Sequence, residues 1–458
     1  MFELHAHTLA SLHLRDVIPD PIRAQRMQIS CGEISLDFSH QRFFPDSLPI
    51  FDDFAREQRL PEKMQALVRG GIVNVSENRP ALHTALRSPS TEPLYVSGHD
   101  IMPDIHASLD KMKGLCERVH QSAIKDVVVF GIGGSYWGSA AVCDALQLSP
   151  KHLNVHFLGD MEEEAFDVTV AALEPETTLF IIISKSFTTP ETLFNATLAK
   201  AWGATNLVAV TANADAAKAF GISADCIFDM WPWVGGRYSV WSAVGLPIAL
   251  CHGFDAFEAM LQGAHAMDEH TLHAAPTENL PMMAALCTFW NVRYGGATTE
   301  AVLPYGFRLS KFVPYVQQLS MESLGKNCTM DGEPLAQSTG PIVWGQTGLH
   351  AQHTFNQLLH QGKHRVSVEF ILPLENKELV AACLAQSYAL THGDPYNLNP
   401  NARLEGNQPH QIIRLKSLSP ENLGALMAFY EHKTYFLACL FGINAFDQFG
   451  VELAKKLM

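Results

Sequence analysis

The sequence predicts an α/β protein with two doubly wound parallel-sheet halves, and three observations carry the prediction. Short apolar runs such as Asp126-Val-Val-Val-Phe-Gly-Ile132 and Thr178 to Ser184 lack the polar alternation of a half-exposed strand, so both faces must be covered. Stretches of helical period separate these runs, which is the pattern of strands joined by crossover helices. A second, weaker set of the same kind begins near residue 280.

In chain order, residues 1–105 read as an N-terminal segment, irregular and broken by prolines at 19, 21, 45, 49, 61 and 80. The first half is expected over 106–275. Its strands begin at 126, 155, 178 and 207, with a helix over 138–148 after the glycine-rich turn that ends the first strand. The second half is expected over 276–458, with a helix at 282–294 and strands at 301–305, 341–344 and 366–372. Its C-terminal helices are a long one at 420–441 and a last one at 451–458. A doubly wound sheet of this kind takes its ligands at the carboxyl ends of its strands.

Composition narrows the function classes. With 32 Lys and Arg against 47 Asp and Glu, the net charge of −15 argues against a nucleic-acid binder but leaves room for a local cationic pocket. No apolar run reaches the ~18–20 residues of a membrane span, and no signal-peptide pattern opens the chain. Nine cysteines, an odd number without a Cys-x-x-Cys pair, read as reduced thiols in a cytoplasmic protein. No set of His, Cys and acidic residues has metal-ligand spacing; His350, His353, His360 and His364 read as loop and helix residues, and no cofactor is expected.

Three turns carry chemistry. Gly131-Ile-Gly-Gly-Ser135 follows a strand and precedes a helix, so Gly133 and Gly134 allow close backbone approach and the helix offers free N–H groups to a phosphate. A dinucleotide fingerprint needs a third glycine where Tyr136 stands. Ser184-Lys-Ser-Phe-Thr-Thr-Pro-Glu-Thr192 crowds five hydroxyls and a lysine at the end of an apolar strand, a composition suited to a phosphomonoester. Gly235-Gly-Arg-Tyr-Ser239 sets Arg237, always charged, after two glycines, where it can stabilise an oxyanion.

Together with Met321-Glu-Ser-Leu-Gly-Lys326, Gln352-His-Thr-Phe-Asn-Gln-Leu-Leu-His-Gln-Gly362 and Asn444-Ala-Phe-Asp-Gln-Phe-Gly-Val-Glu-Leu453, these segments occur in an order that resembles the glucose-6-phosphate isomerase (phosphoglucose isomerase) family. The resemblance runs from about residue 100 to the C-terminus. It implies two sugar-isomerase (SIS-type) domains, a cofactor-free aldose–ketose isomerisation and a homodimer with a hexose 6-phosphate as substrate. Carried over by position, it assigns the phosphate to Ser135, Ser184, Lys185, Ser186, Thr188 and Thr189, with Gln448 also contacting the sugar phosphate. Gly133, Gly134 and Gly236 fall in the substrate pocket. Arg237 falls beside the enediolate, Lys455 near the ring oxygen, and Glu191 on a glutamate that accompanies the main base.

Two departures bear on catalysis. The family places its proton-accepting glutamate where this chain has Gln346, and a neutral amide does not accept a carbon-bound proton. The family's ring-opening histidine precedes the helix ending in Leu-Ala-Gln. Here the corresponding link is only Leu374-Glu-Asn-Lys377, and no histidine lies between His364 and His392. His350, Glu191, and Glu375 or Glu378 from a partner subunit are the candidate replacements. Two readings stay open on sequence alone: an isomerase with a repositioned base, and a sugar-phosphate-binding homologue with weak or no turnover.

Overall fold

The computed structural model describes residues 2–457, apart from the side chains of 454–456. The chain divides into two compact units. One comprises Val68–Ile72 and Arg79–Gly263; the other gathers Met1–Leu67, Val73–Asn78 and Ala264–Met458.

The unit over 79–263 is built on five parallel strands in the spatial order Asn154–Leu158, Asp126–Phe130, Thr178–Ile183, Asn206–Thr211 and Ile227–Asp229. Asp126–Phe130 pairs with neighbours on both sides, Val127 opposite Val155 and also opposite Leu179. All six residues of Thr178–Ile183 are buried, which is why its sequence shows no alternation. Phe130, Phe180, Ile182 and Phe187 form one core with Ala196 and Ala199 of the helix Pro190–Trp202. That helix begins with proline in its first turn and ends at Gly203, whose φ of 106° closes it in a left-handed cap. In chain numbering the strand order is 2-1-3-4-5, so the direction of winding reverses between Asp126–Phe130 and Thr178–Ile183. A crevice opens at the carboxyl ends of two such strands.

The second unit repeats the plan. Its parallel strands lie in the order Ile342–Gly345, Thr299–Pro304, Val366–Pro373 and His410–Leu415, again 2-1-3-4. Beyond His410–Leu415 the sheet continues with an antiparallel hairpin, Ile34–Asp37 and then Gln28–Cys31. The structure thus departs from the expected boundaries: residues 1–67 are not a separate segment but part of the second unit. Backbone pairing explains this, because without the hairpin His410–Leu415 would present an open edge.

The long helix Pro420–Phe441 is capped by the Ser419 side chain at its start and by Gly442, φ 70°, at its end. It brings Lys433 into the core, where the ammonium meets Glu300 at 3.0 Å and Glu369 at 2.5 Å. Thr288 donates to Glu300, and Tyr430 donates to Glu369. Burial raises the Glu369 pKa against the opposing pull of Lys433. Glu300 and Glu369 sit on adjacent strands, so this buried group ties the helix to two strands at once.

Candidate active site

The Gly131–Ser135 and Ser184–Thr189 turns leave the two strands that flank the winding reversal of the first unit. Sequence order dictated this placement: each turn continues the buried carboxyl end of its strand.

The glycines are required by close approach. Gly133 has φ +55°, and a Cβ on Gly134 would lie 2.1 Å from the carbonyl carbon and oxygen of Gly236 and 2.6 Å from the Arg237 nitrogen. Gly134 therefore packs backbone against backbone on the Gly236–Arg237 peptide. Ser135, half-buried, follows directly, and the helix Trp137–Ala145 begins two residues later.

The second turn is shaped by Phe187. Its φ of +53° is the left-handed region, unusual for an aromatic residue, and its ring is buried in the core against Phe220 at 5.9 Å. This anchor turns the flanking polar residues outward. Ser186 and Thr188 share a hydrogen bond of 2.6 Å at the surface, and Ser184 and Thr189 share one of 2.8 Å beneath them. Thr189 precedes the helix Pro190–Trp202 without bonding its N–H groups through its side chain, so the helix start remains open to an anion. Lys185 reaches toward the third turn, donating to the carbonyls of Val234 at 3.1 Å and Pro232 at 3.4 Å. Arg237 is buried at 3% exposure, with its guanidinium carbon 5.5 Å from the Tyr238 ring centre. Glu191 is half-buried in the first turn of the helix that follows the Ser184–Thr189 turn.

Gln346, His350 and Gln448 belong to the other unit. Gln346 follows the strand Ile342–Gly345 at its carboxyl end and is exposed; its amide oxygen accepts from Thr354 Oγ1 at 3.1 Å. The glycines around it are again steric: a Cβ on Gly345 would meet the Val302 carbonyl oxygen at 1.9 Å, and one on Gly348 would enter the Tyr305 ring. His350 lies exposed on the short helix Gly348–Gln352. Gln448 borders an open cavity of about 910 Å³ together with Ser76, Glu322, Lys326 and Asp447. Lys455 falls on the helix Glu452–Leu457, but its side chain lies outside the described residues.

The structure ties two of the quoted segments to Asn74 and Ser76, which no motif announced. Lys326 and Asp447 pair at 2.7 Å, Ser76 Oγ and Asn444 Nδ2 both donate to Asp447, and Asn444 also donates to Asn74. This network fixes the turn that carries Gln448. Of the partner-subunit candidates, Glu375 is engaged within its own chain, accepting from Arg308 at 3.1 Å and from the Leu418 N–H at 3.0 Å. The link preceding the helix Lys377–His392 is as short as expected, with Asn376 capping that helix. Among the described residues no cluster of three His, Cys, Asp or Glu could hold a metal ion, and no helix is long and apolar enough to cross a membrane.

Two doubly wound sheets of like order, one with a hydroxyl-rich turn and a lysine at its winding reversal, define an α/β protein of the sugar-isomerase type. Residues 37–458 match the family described as Phosphoglucose isomerase. The chain is 41% identical over 500 residues to a glucose-6-phosphate isomerase of Ectopseudomonas mendocina (strain ymp), covering 99% of this chain and 90% of that protein. It is 39% identical over 502 residues to one from Stutzerimonas stutzeri (strain A1501), covering 99% and 91%. The crystal structure of a glucose-6-phosphate isomerase from Chlamydia trachomatis superposes with a TM-score of 0.92 at 32% identity, covering 100% of this chain and 93% of that one. The chain belongs to the phosphoglucose isomerase family.

Proposed function

We propose that this protein interconverts glucose 6-phosphate and fructose 6-phosphate through a cis-enediol. The observation that carries the reading is the meeting of three turns in one unit: Gly134 on the Gly236–Arg237 peptide, and Lys185 on the carbonyls of Pro232 and Val234. A hydroxyl-rich turn with a lysine beside a buried arginine supports this reading, as does family membership.

In this scheme Ser135, Ser184, Lys185, Ser186, Thr188 and Thr189 hold the sugar phosphate, aided by the N–H groups that open the helix Pro190–Trp202. By the family pattern, Gln448 contacts the sugar phosphate and Lys455 attends the ring oxygen. A base removes the C2 proton of the open-chain aldose, leaving an enediolate whose oxygen charge Arg237 offsets, and the same base returns the proton to C1. Gln346 does not fill that role. Glu191 is the carboxylate that adjoins the Ser184–Thr189 turn, and we assign it as the proton carrier. The protein acts as a homodimer in the cytoplasm, a reading supported by the family and by nine cysteines that are all free thiols.

A coupled dehydrogenase assay, with deuterium exchange at C1 of fructose 6-phosphate, tests this. The parent chain turns over, Glu191→Gln loses ~10²–10⁴-fold in kcat, and Gln346→Glu gains rate. An inert parent that still binds fructose 6-phosphate would instead mark a sugar-phosphate-binding protein, the reading that Gln346 itself favours.

A further inference from the structure

A second cleft, of about 600 Å³, opens between residues 359–365 and 395–408. It borders the amino ends of the strands Val366–Pro373 and His410–Leu415, the end of their parallel sheet opposite to Gln346. It therefore belongs to neither the cradle nor the loop already described.

Its walls carry Lys363, Arg365 and Arg403 against one carboxylate, Glu405. Glu405 is already paired with Lys363 at 3.4 Å. Among the described residues neither arginine has an ion-pair partner. Arg403 is oriented by donating its Nε to the Asn397 carbonyl at 3.0 Å, which leaves its terminal nitrogens to the cleft. In a chain of net charge −15, a concave surface with this excess of fixed cations runs against the overall field. Arg365 also borders a small adjoining cavity that it shares with Arg42. Burial first, and the Arg365 charge second, lower the Arg42 pKa, so cation faces cation.

The floor is polar as well. Gln408, 6% exposed, gives its Nε2 to the carbonyls of Leu359 and His364, while its Oε1 has no donor among the described residues. Three cations with a single carboxylate among them suit a ligand that carries negative charge.

We propose that this cleft binds a small oxyanion of two or more negative charges, a phosphate ester or a polycarboxylate, held in the forks of Arg365 and Arg403. Guanidinium forks match phosphate and carboxylate geometry, and two unpaired ones in a cleft of this size can engage a single ligand.

Calorimetric titration of pyrophosphate and of citrate into the full chain tests the proposal, with two double variants. Ser186→Ala/Thr188→Ala strips hydroxyls from the cradle; Arg365→Gln/Arg403→Gln strips the forks from the cleft. The cradle variant is expected to keep a saturable pyrophosphate event that weakens with added salt. The cleft variant is expected to lose that event by about tenfold or more, with an unchanged unfolding midpoint. Binding of citrate as well marks a polyanion site, and pyrophosphate alone marks a phosphate site; either supports the proposal. Equal binding by cleft variant and parent, or no saturable event in the cradle variant, overturns it. Should the double variant unfold, Arg403→Gln alone, at an exposed position, gives the same reading.

Discussion

Replacing Gly134 with alanine isolates the contact on which the cradle depends. The new Cβ would lie 2.1 Å from the Gly236 carbonyl, where ordinary contact begins at 3.4 Å, so the two backbones must part by about 1.3 Å. What blocks the methyl is peptide, not the tip of a flexible side chain, and so no rotamer change relieves it. The displacement falls between Ser135 and Arg237, which are to hold phosphate and enediolate of one substrate. A misplacement of about 1 Å costs on the order of 10²-fold in rate, and overpacking of this kind costs ~1–3 kcal/mol of stability. The assay is kcat and KM in the coupled reaction, with a urea unfolding curve for the same preparation. Gly236→Ala is the control for stability, because a Cβ there meets nothing within 4 Å. If Gly134→Ala keeps kcat/KM and stability near parental values, or if Gly236→Ala destabilises as strongly, the steric argument is refuted.

Acidification tests a buried pair elsewhere. His40 and His410 stack at 4.2 Å, bonded to Thr391 and Ser387 respectively; burial above all, against the opposing Asp37 charge, lowers the His40 pKa to about 4. Burial lowers that of His410 as well. Because the folded values lie below the unfolded ones, the unfolded chain takes up protons first. Stability is therefore full above pH ~6.5 and falls toward pH 4, by about 3 kcal/mol from His40 alone, and denaturant midpoints that stay flat over that window would contradict it. Lys433→Met strands Glu300 and Glu369 in the core and is expected to cost ~3–5 kcal/mol in urea unfolding, much of it recovered when both glutamates become glutamine. A loss near 1 kcal/mol would mean that the carboxylates find other partners.

Four of the five parallel strands of the first half were legible, most plainly Thr178–Ile183, whose burial on both faces leaves an unbroken apolar run; the three-residue strand Ile227–Asp229 was too short to read. The strand His410–Leu415 was not. Its sequence His-Gln-Ile-Ile-Arg-Leu mixes polar and apolar residues, since His410 and Gln411 are buried with side-chain partners that only the tertiary fold supplies. The hairpin of residues 28–37 escaped for a similar reason: four-residue strands carry too little pattern, and their partner lies far along the chain. Around the site, the glycine and hydroxyl turns could be read because each is local. Phe187 could not, because only the backbone reveals that it stands in a left-handed conformation. Nor could the bonds that join Asn74 and Ser76 to the quoted Asn444–Leu453 segment, about 370 residues further along the chain.

The antiparallel pairing of residues 34–37 with 412–415 has a consequence for synthesis. A ribosome adding ~5–20 residues per second needs roughly 20–75 s to pass from the first partner to the second. Through that interval the earliest-made hairpin waits without its neighbour, while residues 79–263 have everything required to complete their own sheet. The middle of the gene product thus finishes before its beginning does. A nascent chain stalled before residue 410 should yield to protease near its N-terminus while its central portion resists.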